Sequence, residues 1–411
     1  MTPTVAVLGT LDTKGQEHAA LAEMIRRRGF GVLLINVGSL GEPTVAPDVS
    51  ASEVAEAGGE DWRTVFARCD RGESVALMAR AAARHLAGLV RAGVVHGVIS
   101  LGGGGGTAIA TAAMRALPVG FPKVMVSTLA SGNVAPYVGT VDIVMMPAIV
   151  DVAGLNRISR AIFENAAGAI CGMVGAAETR RSESATDRPL VVASMFGNTT
   201  DCVGAARRQM EEAGFEVLVF HATGQGGRAM ETLITSGMVA GVLDITTTEW
   251  ADELVGGILG AGPDRLDAAG MAGVPAVVVP GCLDMVNFGE PRTVPERFSG
   301  RRFYHHNAQA TLMRTNEAEC AELGRILAGK VNRYTGPVSV LLPTRAISLI
   351  SAPGQPFHDP AADAALFEAI RSHLRPGIPL REYDCAINDP VFARACAGEL
   401  LASLGVPSVG G

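Results

Sequence analysis

The sequence is poor in aromatic residues and in long basic runs. Phe, Trp and Tyr make up 5% of the 411 residues, and no run of Lys and Arg is longer than Arg26-Arg27-Arg28. With a formal net charge of -7 at pH 7, the chain lacks the basic surface that polynucleotide binding requires. These deficits exclude nucleic acid from the expected partners.

Long apolar runs, a signal-peptide pattern and paired cysteines are also missing. No apolar stretch reaches the ~18–20 residues of a membrane helix. The opening residues lead directly into the first apolar run, without a basic region or a cleavage site. We therefore expect no membrane contact and a cytoplasmic location. The seven cysteines contain no C-x-x-C pair, so we expect reduced and mostly structural thiols.

Glycine and apolar residues are abundant. Gly accounts for 50 of the 411 residues, and apolar residues for 48%. Short β-branched runs alternate with alanine-rich amphipathic stretches, which is the pattern of β-α units that feed a parallel sheet. The sequence therefore predicts an α/β protein with two Rossmann-like lobes, mostly parallel sheets and a cleft between the lobes.

A polar segment from Thr179 to Pro189 has linker composition and no apolar periodicity. It predicts an N-terminal, nucleotide-binding Rossmann-like lobe at residues 1–180, a linker at 181–188, and a C-terminal Rossmann-like lobe at 189–411. Short sequence motifs of the first lobe recur in the second lobe in the same order. For example, Gly29-Phe30-Gly31-Val32 resembles Gly214-Phe215-Glu216-Val217. The recurrence indicates duplicated lobes, and generic α/β composition is the alternative.

The strongest chemical signal is a glycine turn between a strand and a helix. An apolar run is followed by Gly102, Gly103, Gly104, Gly105 and Gly106, and then by Thr107 as the expected helix cap. Without Cβ atoms, the turn lets anionic oxygens approach the backbone N–H groups, and the helix adds unpaired donors and its positive dipole end. The pattern predicts a phosphate site. A closely packed turn without a ligand is the alternative.

The loop after the first strand is expected at the same edge of the sheet as the glycine turn. Lys14 can supply a positive charge there, and Thr10 and Thr13 can supply hydroxyl donors. Asp12 can hold a hydrated Mg²⁺ or bond a ribose. The alternative is an Asx-turn and helix cap with a solvated Lys14.

Two further segments complete the predicted nucleotide site. Ser127, Thr128, Ser131 and Gly132 follow another strand and supply small hydroxyl donors without bulky side chains. Asn36 ends the second strand, where ribose or base contacts often lie in such sheets, and a plain turn is an equal alternative.

In the second half, polar residues again follow successive strands. Asp244, Glu249 and Asp284 supply carboxylates, and a predicted loop before a helix contains His305 and His306. Imidazole changes charge near neutral pH, so these five residues are catalytic candidates, with a solvated or locally bonded histidine pair as the alternative. Neither an H-E-x-x-H metal motif nor a G-x-S-x-G elbow occurs, so the sequence leaves open whether the protein is an enzyme.

The same motifs resemble those of a known family. They span nearly the whole chain in order, from Gly9-Thr10-Leu11-Asp12-Thr13-Lys14-Gly15 and the glycine turn to Gly281-Cys282-Leu283-Asp284 and Tyr304-His305-His306-Asn307. The family is the group of ATP-binding domains typified by the N-terminal inhibitory domain of the tomato mosaic virus resistance protein. The resemblance implies two α/β lobes, ATP bound mainly by the first lobe, and self-association as a homodimer.

The sequence thus predicts an ATP-binding protein, with Mg²⁺ accompanying the nucleotide and with a regulatory or ligand-binding role. A binding role is favoured because no nucleophile–base pair stands out. The alternative is an enzyme that uses ATP for hydrolysis or for phosphoryl transfer to a small metabolite in the cleft. The expected partners are a nucleotide, a small-molecule ligand in the second lobe and a second copy of the chain.

Overall fold

A computed structural model of the protein describes residues 2–59, 62–68, 70–183 and 188–406. The chain forms two compact units, residues 1–186 (unit 1) and residues 187–411 (unit 2). Each unit is built on a parallel sheet with helices between its strands, which confirms the predicted α/β class with two mostly parallel sheets.

Unit 1 contains a five-stranded sheet with the strand order β2-β1-β3-β4-β5, and every neighbouring pair is parallel. Its elements are β1 (Thr4–Gly9), α1 (Leu11–Arg26), β2 (Gly31–Asn36), α2 (Ala51–Glu56), α3 (Trp62–Ala67), α4 (Arg71–Arg91), β3 (Gly97–Gly102), α5 (Gly104–Arg115), β4 (Lys123–Ser127), α6 (Ala135–Val138), β5 (Val144–Pro147) and α7 (Arg157–Glu183).

The strands of this sheet are apolar on both faces because helices cover both. Val5 and Val7 of β1 pack with residues of α1 and α7, whereas Ala6 and Leu8 pack with residues of α4 and α5. Successive side chains of a strand point to opposite faces, so one short apolar run supplies both cores. The ends of the strands are thereby held in fixed register.

Unit 2 contains a six-stranded parallel sheet with the order β14-β13-β9-β8-β6-β7 and a separate antiparallel sheet with the order β10-β12-β11. Its elements are β6 (Leu190–Met195), α8 (Thr200–Glu212), β7 (Glu216–His221), α9 (Gln225–Thr235), β8 (Val239–Thr246), α10 (Glu249–Val255), α11 (Ala268–Ala272), β9 (Ala276–Gly281), β10 (Met285–Phe288), β11 (Phe303–Asn307), β12 (Ala310–Arg314), α12 (Glu317–Val331), β13 (Val338–Pro343), α13 (Pro360–His373), β14 (Leu380–Tyr383) and α14 (Pro390–Ser403).

Two helix boundaries lie where the composition of the chain gives no clear signal. Helix α7 continues to Glu183, inside the polar segment that begins at Thr179, while residues 184–187 lie outside the described residues. An established helix gains one hydrogen bond for each residue it adds, so polar composition alone does not end it. The helix expected after His305 and His306 does not follow them directly, because strand β12 intervenes and α12 starts behind an Asn316 capping box.

The remaining composition-based expectations concern membranes and thiols. In the described part of the chain, no helix is long and apolar enough to span a bilayer. Six of the seven cysteines are buried free thiols, and Cys69 lies outside the described residues.

Candidate functional site

The candidate site lies where the strand order of unit 1 reverses direction. The chain passes from β1 to β2 on one side of β1 and then returns to β3 on the other side. Loops after such a pair of strands diverge and leave a crevice at the carboxyl edge of the sheet. A cavity of about 220 Å³ occupies this position in unit 1. Its lining comprises Thr10, Asp12, Thr13, Lys14, Val37, Ser39, Leu40, Arg71, Val75, Gly103, Gly104, Gly105, Gly106 and Ile109.

The glycine turn forms one wall of this cavity, and α5 begins within it. Gly102 ends β3, Gly103 is the N-cap residue in an extended conformation, and Gly104 is the first helical residue. The amides in the first turn of a helix have no intrahelical acceptor. No side chain caps this helix to supply one. A Cβ atom added at Gly104 would meet nothing within 4 Å. The turn therefore presents open main-chain donors and the positive end of a 12-residue helix.

Thr107 does not cap the helix as expected, because the cap is the glycine four residues earlier. Its hydroxyl is buried and lies 2.7 Å from the hydroxyl of Ser127. The Ser127 hydroxyl also accepts a hydrogen bond from the Leu129 amide at 3.0 Å. This pair connects α5 to β4 beneath the turn and does not line the cavity.

The other residues predicted after β4 lie at different distances from the turn. The Thr128 hydroxyl is 3.7 Å from the position that a Cβ on Gly103 would occupy. Ser131 and Gly132 are exposed and are not among the residues that line the cavity. The structure thus brings Thr128 to the glycine turn, and neither of the other two.

The segment after β1 forms the opposite wall as a short helical turn at the start of α1, set off from the rest of the helix by a kink at Lys14. Leu11 is the first helical residue, and its amide donates to the Asn36 side-chain oxygen at 3.1 Å. The same oxygen accepts from the Gly38 amide at 2.9 Å. Asn36 therefore fixes the start of α1 against the end of β2 and is itself buried.

Asp12 is the one carboxylate among the residues that line the cavity. Its Oδ2 accepts a hydrogen bond from the Leu40 amide at 2.9 Å, which holds the segment after β2 in place. Its Oδ1 is buried and has no hydrogen-bond partner in the described part of the chain. A Cβ atom at Gly38 would overlap this carboxylate, so a glycine is required there.

Lys14 and the two threonines already have hydrogen-bond partners within unit 1. The Lys14 ammonium donates to the backbone carbonyl of Val152, in the segment after β5. The Thr13 hydroxyl lies 3.1 Å from the Thr10 hydroxyl. Lys14 lines the cavity, but its charge is already partly satisfied by the carbonyl.

Arg71, the first residue of α4, is a cavity residue that sequence reasoning missed. Its Nη2 lies 3.8 Å from the position that a Cβ on Gly105 would occupy. Arg71 makes no hydrogen bond or ion pair with any residue that the structure describes. No local motif marks it, because packing of α4 against α5 brings it to the turn.

His18 lies beneath both walls and connects them. Its Nδ1 is 2.7 Å from the Lys14 carbonyl oxygen, and its Nε2 accepts from the Leu101 amide at 3.4 Å. Burial lowers the pKa of this imidazole, which is consistent with a neutral ring that donates from Nδ1. A Cβ atom at Gly9 would overlap the ring, so the motif after β1 needs glycine at that position.

Two of the catalytic candidates in unit 2 meet at one fully buried guanidinium. Arg265 donates to both oxygens of Asp244 at 2.6 Å and to Glu249 at 2.6 Å. It also donates to Glu231 at 3.0 Å. The second oxygen of Glu249 accepts from the amides of Gly224 and Gly227. Asp244 and Glu249 are thus fully engaged in a structural ion cluster.

Asp284 lies apart from that cluster and is completely buried. Its Oδ2 accepts from the Ser348 hydroxyl at 2.8 Å, and its Oδ1 has no hydrogen-bond partner within residues 2–59, 62–68, 70–183 and 188–406. Burial raises the pKa of this carboxyl, and the charge of Arg314 partly opposes that effect.

His305 and His306 are not in a loop before a helix, as expected, but in strand β11. This strand pairs antiparallel with β12, and His305 lies opposite Thr311. Both imidazoles are exposed. The interpretation failed because an exposed hairpin strand with polar residues shows none of the apolar alternation that identifies a half-buried strand.

No group of three or more His, Cys, Asp or Glu side chains in the described part of the chain is arranged to hold a metal ion. A cation at Asp12 would therefore need ligands from water or from a bound anion, as hydrated Mg²⁺ usually has.

Asp252 of α10 predicts a pH dependence of stability in unit 2. Burial raises its pKa to about 7, although Asn287 donates to it at 2.6 Å. The unfolded carboxyl titrates near 3.9. Its contribution to stability is therefore complete below about pH 4 and decreases by roughly 1 kcal/mol per pH unit as the pH rises to 7. In Asp252→Asn, the difference in melting temperature from wild type should change steadily between pH 5 and pH 7 and level off above pH 7. A constant difference would contradict this pKa.

Comparison with known proteins places the chain among proteins that share both units. The model of the N-terminal domain of the uncharacterised protein family UPF0261 matches residues 3–179, and the model of its C-terminal domain matches residues 188–404. A UPF0261 protein of Rhizobium meliloti is 48% identical over 393 residues, which is 95% of this chain and 96% of that protein. A UPF0261 protein of Clostridium tetani is 46% identical over 402 residues, 98% of this chain and 99% of that protein.

The relatives also include the tomato proteins suggested by the motifs. The ToMV resistance protein Tm-1(GCR237) of Solanum lycopersicum is 39% identical over 424 residues. The match covers 97% of this chain and 55% of the tomato protein, so the chain spans about half the length of that relative. The resemblance to the tomato proteins is confirmed, and ATP binding stays a prediction.

Proposed function

Because this chain belongs to the uncharacterised protein family UPF0261, we propose its function from the geometry of its own site: unit 1 binds ATP, with the phosphates on the glycine turn. The observation that carries the proposal is the open wall of main-chain amides at Gly103 to Gly106. The choice of ATP over other nucleotides rests on the resemblance of the motifs to an ATP-binding family.

Three features of the cavity favour an anion with several negative charges. The amides and the dipole of α5 attract negative charge at the turn. Arg71 adds a guanidinium that has no partner in the described part of the chain. The position at the switch point of the sheet is where α/β proteins commonly bind nucleotides.

The negative charge of Asp12 would repel a phosphate bound without a cation. Asp12 therefore favours a cation that lies beside the phosphate. Its buried Oδ1 lacks a partner, and an unpaired buried carboxylate oxygen is costly. Hydrated Mg²⁺ fits this donor, because Mg²⁺ is commonly held by one or two carboxylates together with substrate phosphates and water. When bound, Mg²⁺ would neutralise charge between Asp12 and the phosphates.

A binding role suits the cavity better than catalysis on the nucleotide. The residues that line the cavity include one carboxylate, Asp12, and no histidine or cysteine. In unit 2, the carboxylates of Asp244 and Glu249 are saturated by Arg265 and by backbone amides. We therefore propose a nucleotide-binding protein with a regulatory or ligand-binding role.

Removal of the Arg71 guanidinium tests the proposal by isothermal titration calorimetry. Arg71→Ala should weaken ATP binding about 10- to 100-fold, because a charge-assisted hydrogen bond to phosphate would be lost. Arg91→Ala is the matched control, since it removes the same charge from the opposite end of α4, about 30 Å away. Equal binding by wild type and Arg71→Ala, or an equal loss in the control, would contradict the assignment.

A further inference from the structure

A second cavity adjoins the one at the glycine turn. It has a volume of about 640 Å³, and its walls include the segment after β2 and residues of α2 and α3. Ser39 and Leu40 line both cavities, so the two lie side by side and share a wall. The first cavity alone, at about 220 Å³, is smaller than the ~300–1,000 Å³ usual for ligands of nucleotide size.

Aromatic side chains distinguish the second cavity from the first. Trp62 and Phe66 both line it, with ring centroids 5.6 Å apart in an edge-to-face arrangement. The Arg63 guanidinium lies 4.6 Å from the Trp62 ring centroid and helps to hold the indole in place. In a chain with only 5% aromatic residues, two rings in one cavity wall are a notable concentration.

The indole N–H of Trp62 is also a donor without an acceptor in the described part of the chain. This Nε1–H is buried and has no hydrogen-bond partner among the residues that the structure describes. A buried indole N–H usually finds an acceptor, because leaving a polar group unpaired opposes folding. An acceptor atom from a ligand in this cavity would remove that cost.

We propose that the second cavity receives the purine base and ribose of the nucleotide, with the base against Trp62 and Phe66. A ribose oxygen accepts the indole N–H, because this N–H lies in the plane of the ring and points away from a base stacked on its face. The inference rests on the proposed phosphate site and goes beyond it, because it assigns the residues that contact the nucleoside. A purine offers more ring surface to an aromatic wall than a pyrimidine does, so it is the favoured base.

The experiment compares ATP with inorganic tripolyphosphate, which carries the phosphates without the nucleoside. Trp62→Ala should weaken ATP binding about 10- to 100-fold, the usual effect of removing a stacked aromatic ring. Trp62→Phe keeps a ring and removes the N–H, so the loss should be about 2- to 10-fold. Tripolyphosphate should bind wild type and both variants equally.

Tryptophan fluorescence supplies a second readout on the folded wild-type protein. ATP, but not tripolyphosphate, should change the emission of Trp62, and the change should vanish in Trp62→Phe. The chain has one other tryptophan, Trp250, whose indole donates to the Arg265 carbonyl in unit 2 and remains as an internal reference.

The outcomes separate the two proposals. Binding of both ligands with no effect of Trp62→Ala would overturn the nucleoside site and leave the phosphate site standing. Loss of tripolyphosphate binding in Trp62→Ala would also overturn it, since the residue would then support the phosphate site. Failure of wild type to bind either ligand would overturn both proposals.

Discussion

The Gly104→Leu variant should bind ATP at least about 100-fold more weakly than wild type. A Cβ atom at Gly104 would meet no other part of the protein within 4 Å, so a side chain can start there without a clash. It would enter the cavity that the phosphates are proposed to occupy. Because leucine is a better helix former than glycine, the melting temperature should be unchanged or higher. Calorimetric titration with ATP and a thermal melt measure both effects.

Gly168→Leu is the matched control for this experiment. Gly168 lies in helix α7 of the same unit, is exposed, and likewise has open space at its Cβ position. The control should bind ATP like the wild type. If Gly104→Leu binds ATP normally, the glycine turn does not receive the phosphates.

The Arg265→Met variant should be severely destabilised in unit 2, by at least about 3–5 kcal/mol. It would leave Asp244, Glu249 and Glu231 together without their shared cation. The loss should be smaller at low pH, because protonation then removes the unpaired charges. Chemical denaturation at pH 5 and pH 8 measures this difference.

Arg345→Met provides the comparison for an exposed ion pair. Arg345 pairs with Asp384 at 2.7 Å, the same range as the contacts of Arg265, but both side chains face solvent. Screening by water makes such pairs weak, so the control should melt like the wild type. If Arg265→Met were also as stable as wild type, Asp244 and Glu249 would be free for catalysis, and the structural interpretation of the cluster would fail.

The parallel sheets could be predicted from the sequence because short apolar strands buried on both faces leave a clear pattern. The two units whose sequence motifs recur also share the strand topology around their first strand. The first strand of each unit, β1 or β6, pairs in parallel with the next strand on one side and with the strand after that on the other side. The glycine turn was located correctly because an apolar strand, glycines and a helix start are all local signals.

The features that the sequence did not predict depend on contacts between residues far apart in the chain. Arg71 reaches the cavity through helix packing, and Lys14 bonds Val152, 138 residues away. The antiparallel sheet of β10 to β12 was missed because its outer strand is polar and exposed. The start of α12, by contrast, had a readable signal: the Asn316 and Glu319 capping box is a local motif.

The most direct measurement is a crystal structure of the protein with ATP and Mg²⁺. We predict phosphate oxygens within hydrogen-bonding distance of the amides at Gly103 to Gly106 and of the Arg71 guanidinium. Nucleotide bound elsewhere, or phosphates that leave these amides uncontacted, would contradict the account.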